Sequence, residues 1–262
     1  MCDQRKLILV FGMHRSGTSV ATRSLRCLGV SLGESHIDEN ATNPKGFFED
    51  AAIVRINERL LREAGGSWNS PSLSTERLRE LAEAKFGRMA LHVIISRMKL
   101  NSCLAIKDPR LCLLLDFWRP IVERTQARIC CLLVIRNPAS VAQSLAKNYN
   151  VDSSTAEALW QRYIVSAMGG IHSTWTTSIV EYEGLLAAPY TELQKVGRAF
   201  DLKLDISEFD VFCRAFLDAS LNHATVPING SVDALTARTY DIVTRIAKEA
   251  SLDRSGERLR RC

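Results

Sequence analysis

The first residues that point to chemistry form a glycine-rich loop near the start of the chain. The segment Gly12–Ser19 has the sequence GMHRSGTS and follows the apolar run Leu7–Phe11. Gly12 and Gly17 have the spacing of the phosphate-binding pattern GxxxxGK[ST], which requires a preceding buried strand and a following helix. Such a loop surrounds an anion with backbone N–H groups. The alternative, a turn that only caps a helix, explains neither the two glycines nor the strand, so we predict a phosphate site.

The loop departs from the nucleoside triphosphate pattern at one position. Thr18 stands where that pattern has a lysine, which binds the outer phosphates of ATP or GTP. A basic residue comes earlier instead, at Arg15. We therefore expect the loop to bind an anion that carries fewer negative charges than a triphosphate.

A second candidate anion site follows the apolar run Ile129–Ile135. Arg136 comes directly after this run, Pro138 suits the first turn of a helix, and Ser144 lies eight residues beyond Arg136. Arginine offers a fixed fork of N–H donors and serine offers a hydroxyl, so the two can bind one phosphate. Arg136 could equally belong to a structural ion pair. Together with the first loop, the pair predicts a nucleotide that is phosphorylated at two places.

These segments resemble the family of sulfotransferases that use 3′-phosphoadenylyl sulfate (PAPS). FGMHRSGTS is similar to the 5′-phosphosulfate loop of that family, and IRNPASVAQSL is similar to its 3′-phosphate motif. NPKGFFED, AIKDPRL and IVEYEGLLAAP resemble segments of its bacterial glycan and small-molecule branch. The resemblance runs from about Leu7 to Pro189 and thus covers most of the chain.

The resemblance implies a P-loop-like α/β fold and metal-free, in-line transfer of a sulfuryl group from PAPS to a hydroxyl or amine. The acceptor would be a carbohydrate or a small molecule, and adenosine 3′,5′-bisphosphate (PAP) would be released. The 5′-phosphosulfate would be held by the matching residues of the first loop: Arg15, Ser16, Gly17, Thr18 and Ser19. The 3′-phosphate would be held by Arg136 and Ser144.

The chain also departs from the family pattern. Cytosolic animal members have a lysine where Arg15 stands, and their late Gly/Lys motif has no counterpart here. Asn222 and His223 replace basic residues that are common in the later part of the bacterial branch. The resemblance therefore leaves the residues that contact the adenine unassigned.

Transfer to a hydroxyl needs charge stabilisation and a group that accepts the proton. Arg15 and the loop amides are expected to stabilise charge on the leaving group. Lys107, at a strand end in KDPR, could add positive charge or form an ion pair with Asp108 or another acid. We favour Glu49 as the base, because neighbouring phenylalanines would shield it and raise its pKa. Alternatively, Glu49 or Asp50 caps the next helix.

His14 is the second candidate base, because it lies within the phosphate loop, although it could simply bind a backbone carbonyl. Trp68, Trp160 and Tyr163 could line an acceptor site, since aromatic rings stack on sugars and flat molecules. Such residues more often belong to a core or a surface.

The elements that must position these residues form an α/β pattern. Four short apolar runs predict buried strands: Leu7–Phe11, Cys103–Ile106, Ile129–Ile135 and Ser178–Tyr182. Because helical patterns separate them, we predict a three-layer α/β/α fold around a mostly parallel sheet of about four to five strands. Ligands bind beyond the carboxyl ends of such strands, so the polar residues after the four runs, Glu183 among them, predict one crevice.

We expect a single domain over residues 1–262. It contains a helical insertion at about 36–100 that covers the crevice or adds a packing layer, and a C-terminal helical region at about 190–250. A capping box of Ser154 and Glu157 predicts the start of a further helix. Predicted helices occupy 50–64, 76–98, 155–168, 190–200, 207–218 and 233–250, and a basic, frayed tail occupies 254–262.

Composition excludes several classes of function. With 34 Lys+Arg and 29 Asp+Glu, the net charge of +5 is too small to indicate a nucleic-acid partner. No apolar run approaches the roughly 18 residues of a membrane helix, and the opening run is too short for a signal peptide, so we expect a cytoplasmic protein. Eight cysteines without a CxxC motif predict free thiols and no metal site.

Two other functions stay open at this stage. A P-loop kinase that phosphorylates a small molecule would need to work without a lysine at position 18. A non-catalytic relative would bind the nucleotide and transfer nothing. The identity of the acceptor and the oligomeric state are not readable from the sequence.

Overall fold

A four-stranded parallel sheet lies at the centre of the chain. The computed structural model describes residues 4–33, 37, 46–70, 72–217 and 232–259, with side chains as far as residue 249. The strands are β1 (Lys6–Phe11), β2 (Cys103–Lys107), β3 (Arg128–Ile135) and β4 (Thr176–Glu181). They lie in the order β2-β1-β3-β4, and all neighbours are parallel. All four carboxyl ends therefore meet at one edge of the sheet.

Both faces of the sheet are covered. In β1, Leu7, Leu9 and Phe11 enter one hydrophobic cluster, while Ile8 and Val10 enter another on the opposite face. This alternation follows from the two-residue period of a strand, and it explains why the runs are apolar throughout. The predicted three-layer α/β/α fold is confirmed.

Helices form the two outer layers. In chain order they are α1 (Thr18–Ser24), a 3₁₀ turn (Leu25–Leu28), α2 (Ala51–Glu63), α3 (Thr75–Glu83), α4 (Lys85–Lys99), α5 (Leu111–Glu123), α6 (Pro138–Tyr149), α7 (Ser153–Gly170), α8 (Tyr182–Ala187), α9 (Pro189–Phe200), α10 (Ile206–Val211), a π-helical turn (Phe212–Phe216) and α11 (Ala234–Leu259). Helices α2–α7 and α11 pack on one face, whereas α1 and α8–α10 pack on the other. Within the described residues, no helix has both the length and the apolar character needed to cross a membrane.

The helix predicted over 76–98 is two helices. Ala84 adopts an extended conformation (φ −77°, ψ −169°) that ends α3 and begins α4. Gly87 lies so close to the end of α3 that a Cβ atom there would stand 1.7 Å from the carbonyl oxygen of Ala82. The apolar spacing continues across the break because both helices contribute to the same core, so the pattern alone did not reveal it.

The predicted capping box at the start of α7 is wrong. Asp152 is the cap, and its carboxylate accepts a hydrogen bond from the backbone N–H of Thr155 at 2.9 Å. Glu157 Oε1 instead accepts a hydrogen bond from Ser153 Oγ at 3.1 Å, so this carboxylate bonds to another residue within the helix and not to the cap. An aspartate two residues earlier satisfies the first turn equally well, which moves the helix start to Ser153.

The C-terminal helices differ in length from the prediction. The helix expected over 207–218 stops at Val211 and continues as the π-helical turn. Helix α11 extends to Leu259, beyond the predicted end at 250 and into the segment expected as a frayed tail. Asn222 and His223 lie outside the described residues.

Candidate active site

The phosphate loop (Gly12–Ser19) links β1 to α1 through a tight backbone path. Arg15 and Gly17 have positive φ angles of 68° and 80°. A Cβ atom on Gly17 would lie 2.1 Å from the Tyr182 ring, and one on Gly12 would lie 2.1 Å from the carbonyl oxygen of Val134. Both glycines are therefore required by close approach to β3 and α8, which explains the spacing seen in the sequence.

Three donor groups inside the phosphate loop have no partner within the described part of the chain. The backbone N–H groups of Gly17 and Thr18 donate no hydrogen bond there, and the hydroxyl of Ser16 is buried without a hydrogen-bond partner. Ser19 Oγ contacts the carbonyl oxygen of Phe47 at 3.4 Å. Buried donors without partners are costly unless a ligand satisfies them. The loop can therefore accept an anion.

Arg15 connects the two phosphate motifs. Its Nε donates to Ser144 Oγ on α6 at 3.0 Å, and its carbonyl oxygen accepts from Arg136 Nη1 at 3.0 Å. Residues that lie 121 and 129 positions from Arg15 in the chain thus meet it at the carboxyl edge of the sheet. The two motifs form one continuous site.

Arg136 is held from several sides. Its guanidinium lies 4.6 Å from the centre of the Tyr182 ring, and its Nε lies 3.8 Å from Glu183 Oε1. Trp160 Nε1 donates to the Arg136 carbonyl oxygen at 3.1 Å. Burial lowers the pKa of the Arg136 guanidinium from its ordinary value. The side chain is therefore fixed and poorly hydrated, which strengthens its attraction for an anion.

A buried charge cluster (Glu49, Lys107, Asp108 and Arg110) lies at the ends of β2 and the approach to α2. Lys107 Nζ donates to Glu49 Oε1 at 2.5 Å, and Arg110 Nη1 lies 3.6 Å from Glu49 Oε2. Asp108 accepts hydrogen bonds from Arg110 and from Asn57 Nδ2, the latter at 2.9 Å. Burial raises the pKa of Glu49, and the charge of Lys107 opposes this shift.

The cap of α2 is Asp50 rather than Glu49. Asp50 Oδ1 accepts from the backbone N–H groups of Ala52 and Ile53, and Oδ2 accepts from Arg97 Nε at 2.7 Å. Because Asp50 satisfies the first turn, the carboxylate of Glu49 is directed to Lys107 instead. Lys107 pairs with Glu49, so the acid that the sequence left open as its partner is Glu49 and not Asp108.

His14 lies against an aromatic wall that is formed by Trp68 and Tyr149. The ring centres of His14 and Trp68 are 4.9 Å apart, and those of Trp68 and Tyr149 are 5.3 Å apart. Tyr163 OH donates to the backbone oxygen of Trp68 at 2.8 Å and so fixes this loop. Burial, reinforced by the charges of Arg110, Lys107 and Arg15, holds the pKa of His14 well below its ordinary value. The imidazole is thus neutral at physiological pH.

Among the aromatic candidates, Trp160 takes a different position from Trp68. Trp160 is fully buried and contacts Tyr240 of α11 at a ring distance of 6.0 Å. It supports Arg136 from behind and belongs to the core. His36, a further histidine that could accept a proton, lies outside the described residues.

Sequence reasoning missed Tyr182 and Asn57. Tyr182 was assigned to the end of the fourth strand, but β4 ends at Glu181 and Tyr182 begins α8 beneath Arg136. Asn57 lies one helical turn after Ile53, on the apolar face of α2, and is fully buried. A polar residue on an apolar face was the signal that could have revealed it.

The described part of the chain has no group of three His, Cys, Asp or Glu side chains arranged to hold a metal ion. Six cysteines there are free thiols: Cys27, Cys103, Cys112, Cys130, Cys131 and Cys213. Burial raises the pKa of the Cys27 thiol to about 11.

No protein-family model and no curated protein matches the chain. Solved structures do match. The sulfotransferase domain of the olefin synthase from Synechococcus PCC 7002 aligns with a TM-score of 0.50 and 15% identity, over 92% of this chain and 94% of that domain. Sulfotransferase STF1 from Mycobacterium tuberculosis H37Rv aligns with a TM-score of 0.51 and 13% identity, over 87% of this chain and 75% of its own. The resemblance indicated by the motifs is confirmed at the level of the fold: the chain has the fold of sulfotransferase domains.

Proposed function

We propose that this protein is a sulfotransferase that moves the sulfuryl group of PAPS to a hydroxyl or amine of an acceptor and releases PAP. The observation that carries the proposal is the contact between the two phosphate motifs through Arg15. A nucleotide with an anionic group at the 5′ position and a phosphate at the 3′ position presents two anions on one ribose. A loop without a triphosphate lysine, joined to a separate arginine and serine, suits such a ligand.

The residues present fit this nucleotide. The buried Ser16 hydroxyl and the N–H groups of Gly17 and Thr18 have no partner within the described part of the chain. A Cβ atom at Gly12 or Gly17 would collide with Val134 or Tyr182, so glycine is needed for the loop to lie this close to β3 and α8. The 5′-phosphosulfate would be held by Arg15, Ser16, Gly17, Thr18 and Ser19. The 3′-phosphate would be held by Arg136 and Ser144.

When bound, PAPS supplies an activated sulfuryl group whose transfer leaves negative charge on the departing phosphate. Arg15 and the loop N–H groups supply fixed positive charge and dipoles where that charge develops. Lys107 adds a second positive charge at the edge of the sheet and orients Glu49 at 2.5 Å. The chain therefore acts mainly by positioning and charge stabilisation.

Glu49 is the proposed proton acceptor. Burial raises its pKa, which makes the carboxylate a stronger base than an exposed glutamate, and Lys107 fixes its orientation. His14 is the alternative, because a neutral imidazole can also take a proton. Glu49 is preferred because an imidazole whose pKa is well below its ordinary value is a weak base.

The acceptor is proposed to be a carbohydrate or small molecule that contains a ring. The aromatic wall stands beside the phosphate loop, and 42% of Tyr149 is exposed to solvent. An exposed aromatic edge next to the reacting group favours a flat or pyranose ring, which it can contact by stacking.

Calorimetric titration of the purified protein with PAP, and separately with MgATP, tests the nucleotide. Binding of PAP without binding of MgATP is expected. Binding of MgATP alone would contradict the proposal and favour the kinase. Incubation with PAPS and a panel of phenols, amines and sugars then tests transfer, with the sulfated product detected by mass spectrometry. PAP binding without transfer to any acceptor would favour the non-catalytic relative.

A further inference from the structure

We propose that the Glu183 carboxylate pairs with Arg136 in the nucleotide-free protein and competes for it with the 3′-phosphate of the nucleotide. Binding of this phosphate is then coupled to the uptake of one proton by the Glu183 carboxyl group. The inference rests on the proposed function, since it takes Arg136 as the ligand of the 3′-phosphate. Glu183 belongs to neither phosphate motif.

The position of Glu183 makes it a competitor for the phosphate. Its Oε1 lies 3.8 Å from Arg136 Nε, and the two side chains are 31% and 9% exposed. Arg136 is approached on other sides by the Tyr182 ring and by the carbonyl oxygen of Arg15. An anion that binds Arg136 must therefore come close to the Glu183 carboxylate.

The Glu183 carboxylate is poorly satisfied. Both of its oxygens are buried and form no hydrogen bond of ordinary geometry within the described part of the chain. The pair with Arg136 is longer than a hydrogen bond. Burial raises the pKa of Glu183, and its own backbone N–H, the charge of Arg136 and the backbone N–H of Asn137 oppose the shift only in part. The Glu183 carboxyl group can therefore take up a proton when a further negative charge is placed beside it.

The surroundings of Glu183 carry both signs of charge. The titratable and charged groups that act on it or on its partner Arg136 come from the phosphate loop, the connection after β3, β4, α8 and α11: Arg15, Arg136, Glu181, Tyr182 and Tyr240. A phosphate on Arg136 adds negative charge beside Glu183 and Glu181 while it engages the main nearby cation. Both effects raise the pKa of Glu183 in the bound state.

The direction of the pH dependence follows from this shift. A carboxyl group that holds its proton more tightly in the complex takes up a proton on binding, so affinity increases as the pH falls. For one proton, the limit is about tenfold per pH unit between the pKa values of the free and bound states. Glu183→Gln imitates the neutral acid and should bind PAP tightly at every pH.

Titration of wild type and Glu183→Gln with PAP between pH 6 and pH 8.5 tests the inference. The variant is expected to bind about tenfold more tightly than wild type at pH 8, and this difference in affinity should shrink as the pH falls. Adenosine 5′-monophosphate lacks the 3′-phosphate and should show no such difference. Glu208→Gln is the matched control: Glu208 pairs with Arg23 at 2.9 Å and is 32% exposed.

Proton uptake can also be measured on the unmodified protein. Calorimetry with PAP in two buffers of different ionisation enthalpy should report a net uptake in wild type that is smaller in Glu183→Gln. Identical pH dependence and proton uptake in the two proteins, with PAP bound by both, would overturn this inference and leave the proposed function standing. Failure of both proteins to bind PAP at any pH would overturn the proposed function, and the inference with it.

Discussion

At the scale of single residues, Arg15 connects the two halves of the site through both its side chain and its backbone. Its guanidinium contacts Ser144, its carbonyl oxygen accepts from Arg136, and its φ of 68° is unusual for a residue other than glycine. Such backbone strain is maintained where the surrounding contacts determine the conformation. The positive φ turns the carbonyl toward Arg136, so the strained residue also orders the second phosphate motif.

Replacement of Arg15 tests its role in charge stabilisation. Arg15→Ala should lower kcat with PAPS by at least about a hundredfold, as expected for loss of a donor at the developing charge. Arg15→Lys keeps the charge without the planar fork and should lose less. Single-turnover kinetics with a working acceptor provide the measurement. A near-normal rate for Arg15→Ala would remove this residue from the mechanism.

Glu49 and His14 are distinguished by replacing each with a neutral amide side chain. Glu49→Gln should reduce kcat by about 10²–10⁴-fold and leave the Kd of PAP unchanged, because the amide cannot accept the proton. Since burial raises the pKa of Glu49 above 4.5, the wild-type kcat should decrease as the pH falls through that raised value. The variant should lack this limb of the pH profile.

The control is His14→Asn, which keeps a polar group in the phosphate loop. It should retain most of the wild-type kcat if Glu49 is the base. If His14→Asn abolished turnover while Glu49→Gln retained it, the base would be the imidazole.

At the scale of elements, the candidate site lies at the connections that follow the carboxyl ends of the strands. The packing of the helices determines where these connections lie. Helix α6 brings Ser144 to Arg15, while α8 places Tyr182 beneath Arg136 and against Gly17. Helix α11 reaches the same edge, where the hydroxyl of Tyr240 donates to Glu181 at the end of β4. The site is thus assembled by helices from both layers.

The aromatic wall is predicted to contribute to acceptor binding. It joins Trp68, in the connection between α2 and α3, to Tyr149 at the end of α6. Tyr149→Leu removes the exposed ring that packs edge-on to Trp68. We expect the KM of a ring-containing acceptor to rise by up to about tenfold, as expected for the loss of one aromatic contact, while the Kd of PAP is unchanged.

Tyr190→Leu on α9 is the matched control for this variant. Tyr190 is 44% exposed, compared with 42% for Tyr149, and it packs edge-on to Phe209 at a ring distance of 5.6 Å. An equal change of acceptor KM in the two variants would contradict a specific role for the wall.

At the scale of the whole molecule, the sequence predicted what depends on local pattern and missed what depends on contacts between distant segments. The four strands, their parallel direction and the loop after β1 were predictable, because buried parallel strands are apolar throughout and a phosphate loop has fixed glycine spacing. The break at Ala84 could not be predicted, because α3 and α4 cover the same core and keep the same apolar period. The Lys107–Glu49 pair could not be predicted either, because its members lie 58 residues apart in the chain.

The helical insertion is predicted to unfold together with the sheet. Asn57 of α2 donates to Asp108 after β2 and accepts from Trp118 Nε1 of α5 at 2.7 Å, and Glu49 pairs with Lys107. These bonds are buried, so separating the insertion from the sheet would leave charges without partners, which costs several kcal/mol. Separate unfolding of the two parts is therefore disfavoured.

Calorimetric unfolding should show one transition, and PAP at about a hundred times its Kd should stabilise the protein by about 2.7 kcal/mol in that transition. MgATP at the same concentration should not shift the Tm. Two transitions, with PAP shifting only one of them, would mean that the insertion is an independent domain. The same result would contradict the single domain proposed for this chain, because the buried charge cluster would then fail to couple α2 to the strands that bind the nucleotide.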